Sequence, residues 1–341
     1  MISFESDYIT GAHPKLLQRL LDTNLEPQTG YGFDRYCMQA AEKIKDACQC
    51  PAAQVYFLTG GTQTNVTVIS SMLQEYEGVI SASTGHIHAH EAGSLEYCGY
   101  KILSLPHVQG KLCAQDVRHY LETFYADEAR EHMVFPGMVY ISHPTEYGTL
   151  YSKQELTDLS ELCREYQIPL FMDGARLAYG LMSRHTDVSL ADIARLCDVF
   201  YIGGTKAGAL CGEAVVFTHQ NAPAHFINRI KKHGALLAKG RLLGVQFDAL
   251  FTDNLYFEIG RHAIDLAEKL KEFFAEKGYA FHIDSPTNQL FVILDPVTLE
   301  RLRQDVAVTV WEWLDKNRVV VRLATTWSTT EEDCLRLKAL L

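Results

Sequence analysis

The feature that most restricts the fold is a regular alternation of short apolar runs with longer stretches of helical periodicity. The apolar runs are rich in β-branched and aromatic residues and are apolar on both faces, as buried parallel strands are. They lie at residues 55–58, 78–83, 100–105, 137–142, 168–173, 198–203 and 214–218. The alternation predicts an α/β fold with a mostly parallel seven-stranded sheet sandwiched by helices.

Two of the intervening stretches have clear amphipathic helical spacing. Residues 114–130 and 152–166 carry apolar side chains at the period of one helix face. The second stretch opens on Ser152 with Glu155 three residues later, which is the pattern of a capping box. We therefore predict a helix that starts directly after Ser152.

The pattern changes after about residue 217, where longer helical stretches precede isolated strands. The predicted helices span residues 226–239, 255–278 and the end of the chain, and the predicted strands span residues 289–294 and 318–323. A chain of 341 residues exceeds the size at which one hydrophobic core keeps growing. We expect a large domain with an N-terminal arm over residues 1–240 and a smaller α+β domain over residues 241–341.

Composition and charge exclude several classes of protein. The net charge of −11 and the pI near 5.7 repel phosphate backbones, so no nucleic-acid partner is expected. No apolar run approaches the roughly 20 residues of a membrane-spanning helix, so no membrane partner is expected either. The N-terminal segment lacks the pattern of a secretion signal, and the nine cysteines follow no repeated CxxC spacing. These features predict a cytoplasmic protein with reduced thiols.

A glycine pair follows the first predicted strand of the sheet. In an open α/β sheet, ligands bind beyond the carboxyl ends of the strands. Residues 59–65 (TGGTQTN) place Gly60 and Gly61 there, just before a predicted helix whose free N–H groups can bind a phosphate. A simple strand-to-helix turn explains the glycines equally well, and the spacing matches no nucleoside-triphosphate loop.

Two later strands also end in chemically useful residues. Residues 173–176 (DGAR) bring Asp173 and Arg176 to one strand end, either as an internal ion pair or as ligand-binding groups. Residues 203–208 (GGTKAG) place Lys206 in a glycine-rich turn after the next strand. A desolvated lysine in such a turn becomes a nucleophilic amine that can form a Schiff base.

Three histidines, His86, His88 and His90, occupy alternate positions ahead of Glu91. In an extended chain they would share one face and could bind the zinc of a metal-dependent hydrolase. The small residues nearby instead favour the start of a helix, in which alternate residues do not share a face. We therefore expect no metal site and predict that His88 and His90 face solvent or cap a helix.

Taken in chain order, these segments match the needs of pyridoxal 5′-phosphate. Gly61 and Thr62 would bind the phosphate, Asp173 would keep the pyridine nitrogen protonated, and Lys206 would form the Schiff base. The set is more specific than any of its members alone.

At these residues the chain resembles the fold-type I pyridoxal-phosphate enzymes, and within them the threonine aldolase and β-eliminating lyase group. The matching segments span nearly the whole chain and lie at residues 6–7, 30–36, 60–65, 86–93, 145–151, 173–177, 205–206 and 322–326. The resemblance implies a homo-oligomer, a dimer or a dimer of dimers (a homotetramer), in which two subunits share each active site.

The resemblance also implies roles for individual residues. His86, the first residue of a pattern that includes Glu91, would stack on the cofactor ring. Arg176 and Arg322 would hold the substrate α-carboxylate, with Ser6 near the same group. Arg176 would also lie against the cofactor.

Three further positions match the family less well. Tyr36 corresponds to a tyrosine that lines the site from the partner subunit, but an aromatic in an apolar stretch also fits a hydrophobic core. Lys239 and Arg241 lie where the family supplies a cation toward the phosphate, and ordinary surface charges fit them better.

The chain departs from the family pattern at the general base. Glu146 stands where many threonine aldolases have a histidine, and residues 322–326 read RLATT rather than RxxTH. The predicted catalytic residues are Lys206 with His86 or Glu146 as the base. The implied activity is cleavage of a β-hydroxy-α-amino acid, of the L-threonine or L-allo-threonine type, to glycine and an aldehyde. β-Elimination, transamination and a scaffold without cofactor are the alternatives.

Overall fold

The predicted alternation of strands and helices is present in the computed structural model, which describes residues 2–341. The strands are β1 (Ile2–Ser3), β2 (Gln54–Leu58), β3 (Glu77–Ala82), β4 (Lys101–Leu105), β5 (Phe135–Ser142), β6 (Leu170–Asp173), β7 (Val199–Gly203), β8 (Glu213–Phe217), β9 (Phe281–Ile283), β10 (Gln289–Leu294), β11 (Val306–Ala307), β12 (Thr309–Asp315) and β13 (Arg318–Ala324). The helices are α1 (Pro14–Thr23), α2 (Arg35–Ala47), α3 (Gly61–Met72), α4 (His86–Ala89), α5 (Ser94–Tyr97), α6 (Ala114–Ala126), α7 (Lys153–Glu165), α8 (Leu177–Met182), α9 (Leu190–Leu196), α10 (Phe226–Lys232), α11 (Arg241–Leu250), α12 (Leu255–Glu276), α13 (Pro296–Leu302) and α14 (Glu331–Leu340), with one 3-10 turn at Arg130–His132.

Seven strands form the large sheet in the order β2-β8-β7-β6-β5-β3-β4. Strands β3 to β7 pair in parallel, whereas β8 runs antiparallel to both β2 and β7. Each face has its own core: Phe200 and Ile202 of β7 pack on one side, and Val199 and Tyr201 pack on the other. The prediction of a mostly parallel seven-stranded sheet covered on both faces is confirmed.

The pairing register brings several strand ends to one edge of this sheet. Ser142 of β5 lies opposite Asp173, the last residue of β6. Gly203, which ends β7, lies opposite Glu213, which begins the antiparallel β8. The carboxyl edge of the sheet therefore receives residues from four neighbouring segments.

The C-terminal part forms a four-stranded antiparallel sheet in the order β12-β13-β10-β9. Its core joins side chains from helices α12 and α14 to the sheet, among them Leu270, Leu337 and Leu323. The N-terminal strand β1 pairs in parallel with β11, so the N-terminal arm is tied to this smaller unit. The predicted smaller α+β unit is confirmed.

The division predicted at residue 240 stays a prediction. Helix α11, directly beyond it, contributes Phe247 and Leu250 to the core of the large sheet. Helix α12 joins both cores, because Ile259 packs with the large sheet and Leu270 packs with the small one. The structure therefore links the two units through a helix that both of them share.

Three local predictions differ from the structure. The helix predicted over residues 226–239 ends at Lys232, because Gly234 adopts a φ of 72°. The N–H groups of Gly234 and Ala235 donate to the carbonyls of Lys231 and Ile230, which is the Schellman termination. Helix α6 ends at residue 126 rather than 130, and β12 was not predicted at all.

The predicted start of α7 is confirmed in detail. The capping box of Ser152 and Glu155 is present at the start of α7. All nine cysteines are unpaired in residues 2–341. No helix of this described range is long and apolar enough to cross a membrane.

Candidate active site

A cleft of two joined cavities lies at the carboxyl edge of the large sheet. The inner cavity has a volume of about 340 Å³ and the outer cavity a volume of about 240 Å³. They share five lining residues, namely Tyr8, His86, Glu146, Arg176 and Lys206. The inner cavity is otherwise lined by large-domain residues that include Gly60, Gly61, Thr62, Asp173, Tyr201, Thr205 and Glu213. The outer cavity adds His90, Gln289, Trp311 and Arg322.

A larger cavity lies elsewhere, between helices α1, α2 and α11, at about 780 Å³. It shares no lining residue with the cleft. Its buried carboxylate, Asp248, is already bonded to Lys43 at 2.6 Å and Arg19 at 3.3 Å. Size therefore does not mark the reactive site here, and the chemistry of the lining groups does.

Asp173 is a buried carboxylate with a full set of hydrogen-bond donors. The hydroxyls of Tyr201 and Tyr140 donate to it at 2.5 and 2.6 Å, and the amide of Asn65 and the N–H of Ala175 donate at 3.0 Å. Burial alone would raise the pKa of Asp173. The positive charge of His86 and these hydrogen bonds outweigh burial and lower the pKa, so the group stays ionised at neutral pH.

Asn65 connects Asp173 to a second buried carboxylate. Its amide nitrogen donates to Glu91 at 2.7 Å as well as to Asp173. Glu91 in turn bonds Nδ1 of His86 at 2.8 Å. Burial would lower the pKa of His86, but the Glu91 bond and the charge of Asp173 raise it overall. This network fixes the ring orientation of His86 beside the inner cavity.

The N-terminus of helix α3 supplies an anion site to the inner cavity. Gly60 is the N-cap in extended backbone, and no side chain caps the first N–H groups of the helix. A Cβ at Gly61 would lie 3.1 Å from the hydroxyl of Tyr201, which explains the glycine. Free N–H groups and the helix dipole favour a phosphate here. Gly61 and Thr62, the two residues predicted to bind the phosphate, both lie on this lining.

Lys206 lines the same cavity as Asp173, so the two residues lie in one site. Its amine lies 6.0 Å from the ring centroid of Tyr8. Burial and the positive charge of Arg176 lower the pKa of the Lys206 amine, against the opposing charges of nearby carboxylates. A lowered pKa increases the neutral, nucleophilic fraction of the amine.

Glu213 is a buried carboxyl group beside Lys206 that sequence reasoning missed. Its Oε1 accepts a hydrogen bond from the hydroxyl of Thr205 at 2.9 Å, and its Oε2 accepts one from the N–H of Gly204 at 3.2 Å. Burial raises the pKa of Glu213 to about 8, despite these bonds and the charge of Lys206. Burial therefore favours the neutral form of the Glu213 carboxyl group beside the lysine.

Arg176 does not pair with Asp173, which was one reading of the sequence. Arg176 instead forms a bidentate ion pair with Asp7, in which Nε donates to Oδ2 at 2.7 Å and Nη2 donates to Oδ1 at 3.0 Å. Burial would raise the pKa of Asp7, but Arg176, Lys206 and a bond from Asn288 lower it to about 2. Asp7 thus fixes the guanidinium of Arg176 at the junction of the two cavities.

Arg322 and Ser6 carry polar atoms that lack a partner in the described residues. Arg322 lines the outer cavity, donates from Nη2 to the carbonyl of Glu5 at 3.2 Å, and lies 5.7 Å from the ring centroid of Trp311. Its buried Nε has no hydrogen-bond partner in residues 2–341, and neither has Oγ of the buried Ser6. Buried donors without acceptors are costly, and a ligand carboxylate in the outer cavity would satisfy Arg322. Ser6 itself lines neither cavity.

Glu146 is buried and lines both cavities. Its Oε1 accepts a hydrogen bond from Ser142 at 2.6 Å. Burial raises the pKa of Glu146, and the charge of Asp173 contributes in the same direction. A carboxyl group at a cavity wall can exchange a proton with a bound ligand.

The three alternate histidines do not converge. Residues His86 to Ala89 form one helical turn, as the helix reading predicted, and His88 faces solvent. His90 is exposed but borders the outer cavity, with its ring 5.6 Å from that of His86 and 6.4 Å from Trp311. No cluster of three or more potential metal ligands occurs in residues 2–341.

The weaker family matches lie outside the cleft lining. Tyr36 is buried, donates to Glu26 at 2.6 Å and lies under the guanidinium of Arg241 at 5.6 Å. Arg241 bonds the carbonyls of Thr23 and Glu26, and so caps the end of α1. Lys239 is exposed on the surface.

The residues of the inner cavity fit pyridoxal phosphate. The uncapped start of α3 suits a phosphate, Lys206 suits an aldehyde, and Asp173 suits a protonated ring nitrogen. All four bonds that Asp173 accepts occupy its lone pairs, so a ring N–H that reaches it would share or replace one donor.

Solved structures share this architecture. A threonine aldolase from Leishmania major is 42% identical, with a TM-score of 0.96 over 100% of this chain and 98% of that chain. An aspartate aminotransferase from Thermus thermophilus matches at a TM-score of 0.71 and 16% identity, which shows the fold alone. The chain therefore has the α/β fold of the fold-type I pyridoxal-phosphate enzymes.

Sequence comparison identifies the family within this class. The model of the beta-eliminating lyase family matches residues 3–296. A low specificity L-threonine aldolase from Pseudomonas aeruginosa is 27% identical over 303 residues, which cover 88% of this chain and 86% of the relative. The chain belongs to the beta-eliminating lyase family.

Proposed function

We propose that the chain is a pyridoxal-phosphate-dependent aldolase that cleaves L-threonine-type β-hydroxy-α-amino acids to glycine and an aldehyde. The observation that carries this proposal is the shared cavity of Lys206 and Asp173, which continues into a second cavity with two arginines. The similarity to threonine aldolases over nearly the full chain supports the same reaction.

The inner cavity would hold the cofactor through residues already in position. The start of α3, with Gly61 and Thr62, would bind the phosphate. Asp173 would bind the ring nitrogen, and His86, oriented by Glu91, would lie against the ring. When bound there, pyridoxal phosphate would supply an electron sink for the electrons of the broken Cα–Cβ bond.

The outer cavity would bind and orient the substrate. Arg322 and Arg176 would bind its α-carboxylate, and Ser6 would donate to the same group. The Asp7 pair fixes Arg176 in advance, so little side-chain freedom is lost on binding. Binding the carboxylate in this way determines which bond at Cα is aligned for cleavage.

The proton of the β-hydroxyl would pass to Glu146 or His86. Both groups line both cavities, and each accepts the proton only in its deprotonated form, as the Glu146 carboxylate or the neutral imidazole of His86. The orientation of His86 is fixed by Glu91, and that of Glu146 by Ser142.

We propose that the chain functions as a cytoplasmic homo-oligomer, a dimer or a homotetramer, with the active site at the subunit interface. Large apolar side chains are exposed in the first 38 residues, a segment that also contains the cleft residue Tyr8. Several large apolar side chains exposed in one segment are typical of an interaction surface. They include Ile9, Leu17, Leu21, Leu25, Tyr31, Phe33 and Met38.

Product analysis tests the proposed reaction. The purified protein with pyridoxal phosphate would be incubated with L-threonine, L-allo-threonine and L-phenylserine. Glycine and the matching aldehyde in equal amounts are expected. Because the family model is that of beta-eliminating lyases, β-elimination is the second candidate, and ammonia with a 2-oxo acid would identify it in place of the aldolase.

A further inference from the structure

Gln289 is a buried amide in the outer cavity that the proposed reaction does not use. It is the first residue of β10, is 0% exposed, and lines the cavity with Arg322 and Trp311. Its Oε1 has no hydrogen-bond partner in residues 2–341. A buried acceptor without a donor is costly and rare in folded proteins. Its presence at a ligand-sized cavity indicates that a ligand supplies the donor.

The backbone carbonyl of Glu146 indicates which atom of the Gln289 amide group remains unpaired. The Nε2 of Gln289 lies 3.5 Å from the backbone oxygen of Glu146. The opposite amide orientation would place two acceptor oxygens against each other. The free group is therefore an acceptor, and it requires a hydrogen-bond donor.

The charges around the cavity select a neutral donor. Arg176, Arg322 and Lys206 line the outer cavity together, and burial favours the neutral form of the one carboxyl group that also lines it, Glu146. Burial lowers the pKa of His90, and the positive charges of these residues lower it further. A ligand ammonium group in addition to the α-amino group would be repelled by these positive charges, whereas a neutral hydroxyl group would not.

The reacting hydroxyl of the substrate is not that donor. A hydroxyl has one proton, and in the proposed reaction the β-hydroxyl gives it to Glu146 or His86. On a β-hydroxy substrate, the next position that can carry a neutral donor for Gln289 is further along the Cβ substituent. A cavity of about 240 Å³ admits a short substituent, and the indole of Trp311 forms an apolar wall beside it.

We propose that Gln289 is a specificity-determining residue that accepts a hydrogen bond from a γ-hydroxyl group on the substrate. The preferred substrates are then L-β,γ-dihydroxy-α-amino acids, whose cleavage releases glycine and a hydroxyaldehyde. In this reaction the Cα–Cβ bond breaks, the β-hydroxyl proton is lost as the aldehyde forms, and Cα gains a proton. This inference rests on the proposed aldolase function and adds its substrate class.

Ligands that are not cleaved test the contact without turnover. L-Homoserine carries the γ-hydroxyl and L-2-aminobutyrate lacks it, and neither has a β-hydroxyl. Binding to the holoenzyme would be followed by the change in its visible spectrum. L-Homoserine is expected to bind roughly tenfold more tightly, as one hydrogen bond to a buried acceptor allows. In Gln289→Met, which keeps the side-chain length and removes the amide, the two ligands are expected to bind equally.

Two controls separate this contact from a structural role. Gln289→Glu retains an acceptor and is expected to keep most of the preference for L-homoserine. Glycine has no Cβ, so its dissociation constant is expected to differ by less than about twofold between the unaltered protein and Gln289→Met. Equal loss of affinity for glycine, L-2-aminobutyrate and L-homoserine would overturn the proposal, since it would show only a disturbed site.

Kinetics separate this inference from the proposed function. The ratio of kcat/KM for 4-hydroxy-L-threonine to that for L-threonine is expected to be about ten in the unaltered protein and near one in Gln289→Met. Cleavage of both substrates with the same ratio in both proteins would overturn the role of Gln289 and leave the aldolase intact. Glycine from neither substrate would overturn the proposed function itself.

Discussion

The inner and outer cavities of the cleft differ in how well their polar groups are paired. In the inner cavity, Asp173 accepts four hydrogen bonds and Glu213 accepts two. In the outer cavity, Nε of Arg322 and Oε1 of Gln289 have no partner in residues 2–341. The first cavity is built by the large sheet, and the second is completed by β10, β12 and β13 of the smaller unit.

This difference corresponds to two kinds of ligand. A resident cofactor needs groups held rigidly in fixed protonation states, and the network through Asn65 provides that rigidity. A substrate that enters and leaves on every cycle must supply bonds that the protein does not make for itself. The two carboxyl groups Asp173 and Glu213 of the cofactor cavity are thus paired, whereas two lining groups of the substrate cavity, Arg322 and Gln289, each keep an unpaired atom.

Removing the charge of Asp173 is expected to have the largest effect of the following changes. Asp173→Asn keeps the shape and removes the anion that would hold the ring nitrogen protonated, so kcat/KM should fall roughly 10²- to 10³-fold. Steady-state kinetics of glycine formation measure this. Tyr140→Phe removes one of the four donors and keeps the carboxylate, so a loss of about tenfold or less is expected. Equal losses in the two variants would contradict the assigned role of the charge.

The next prediction concerns the base at the junction of the cavities. Because burial raises the pKa of Glu146, its deprotonated form, which accepts a proton, increases with pH above the usual range of a glutamate. The acidic limb of the kcat profile should therefore rise in that region. Glu146→Gln should lower kcat roughly 100-fold and remove this limb. An unchanged pH profile in this variant would assign the proton transfer to His86.

Substitution of Arg322 tests the role of the outer cavity in substrate binding, separately from the role of the inner cavity. Arg322→Gln removes a carboxylate ligand, so KM for L-threonine should rise roughly 10- to 100-fold while the cofactor spectrum stays the same. Arg318→Gln is the matched control, because Arg318 lies on the same strand, is exposed and pairs with Asp315. A similar rise in KM in the control, or loss of the cofactor band in Arg322→Gln, would break the division between the cavities.

The smallest expected effect is on the pH dependence of the protein's stability, through Glu213 in the inner cavity. The pKa of Glu213 is about 8, above the ordinary 4.5, so the folded protein keeps a proton that the unfolded chain has lost between those values. The free energy of unfolding should therefore fall as pH rises through this window. Denaturant titrations should show a flatter pH dependence for Glu213→Gln. Glu161→Gln, at an exposed glutamate, should leave the slope of the unaltered protein unchanged.

The sequence predicts the inner cavity better than the outer one. Gly61, Asp173 and Lys206 follow or end strands that are apolar on both faces, and the carboxyl-edge rule then brings them together. Glu213 escaped this rule because β8 is antiparallel, so its first residue, not its last, reaches the same edge. A rule that considers only the residues that follow each strand therefore misses Glu213.

Long-range pairs were also beyond reach of local patterns. Asp7 and Arg176 are separated by 169 positions, and nothing in either segment specifies the other. Asn65 was part of a matching segment, but its double contact depends on how α3 packs beside β6. Gln289 and Trp311 belong to strands of the smaller sheet, and the strand of Trp311, β12, whose pairing is interrupted by register shifts, was not predicted.

Mass spectrometry of the reduced holoenzyme tests the central claim most directly. Borohydride would fix the bond between the protein amine and pyridoxal phosphate, and peptide mapping would locate it. The account predicts the added cofactor mass on the peptide that contains Lys206, with neither the mass nor the visible band in Lys206→Ala. The added mass on another lysine, or an unchanged visible band and full activity in Lys206→Ala, would contradict it.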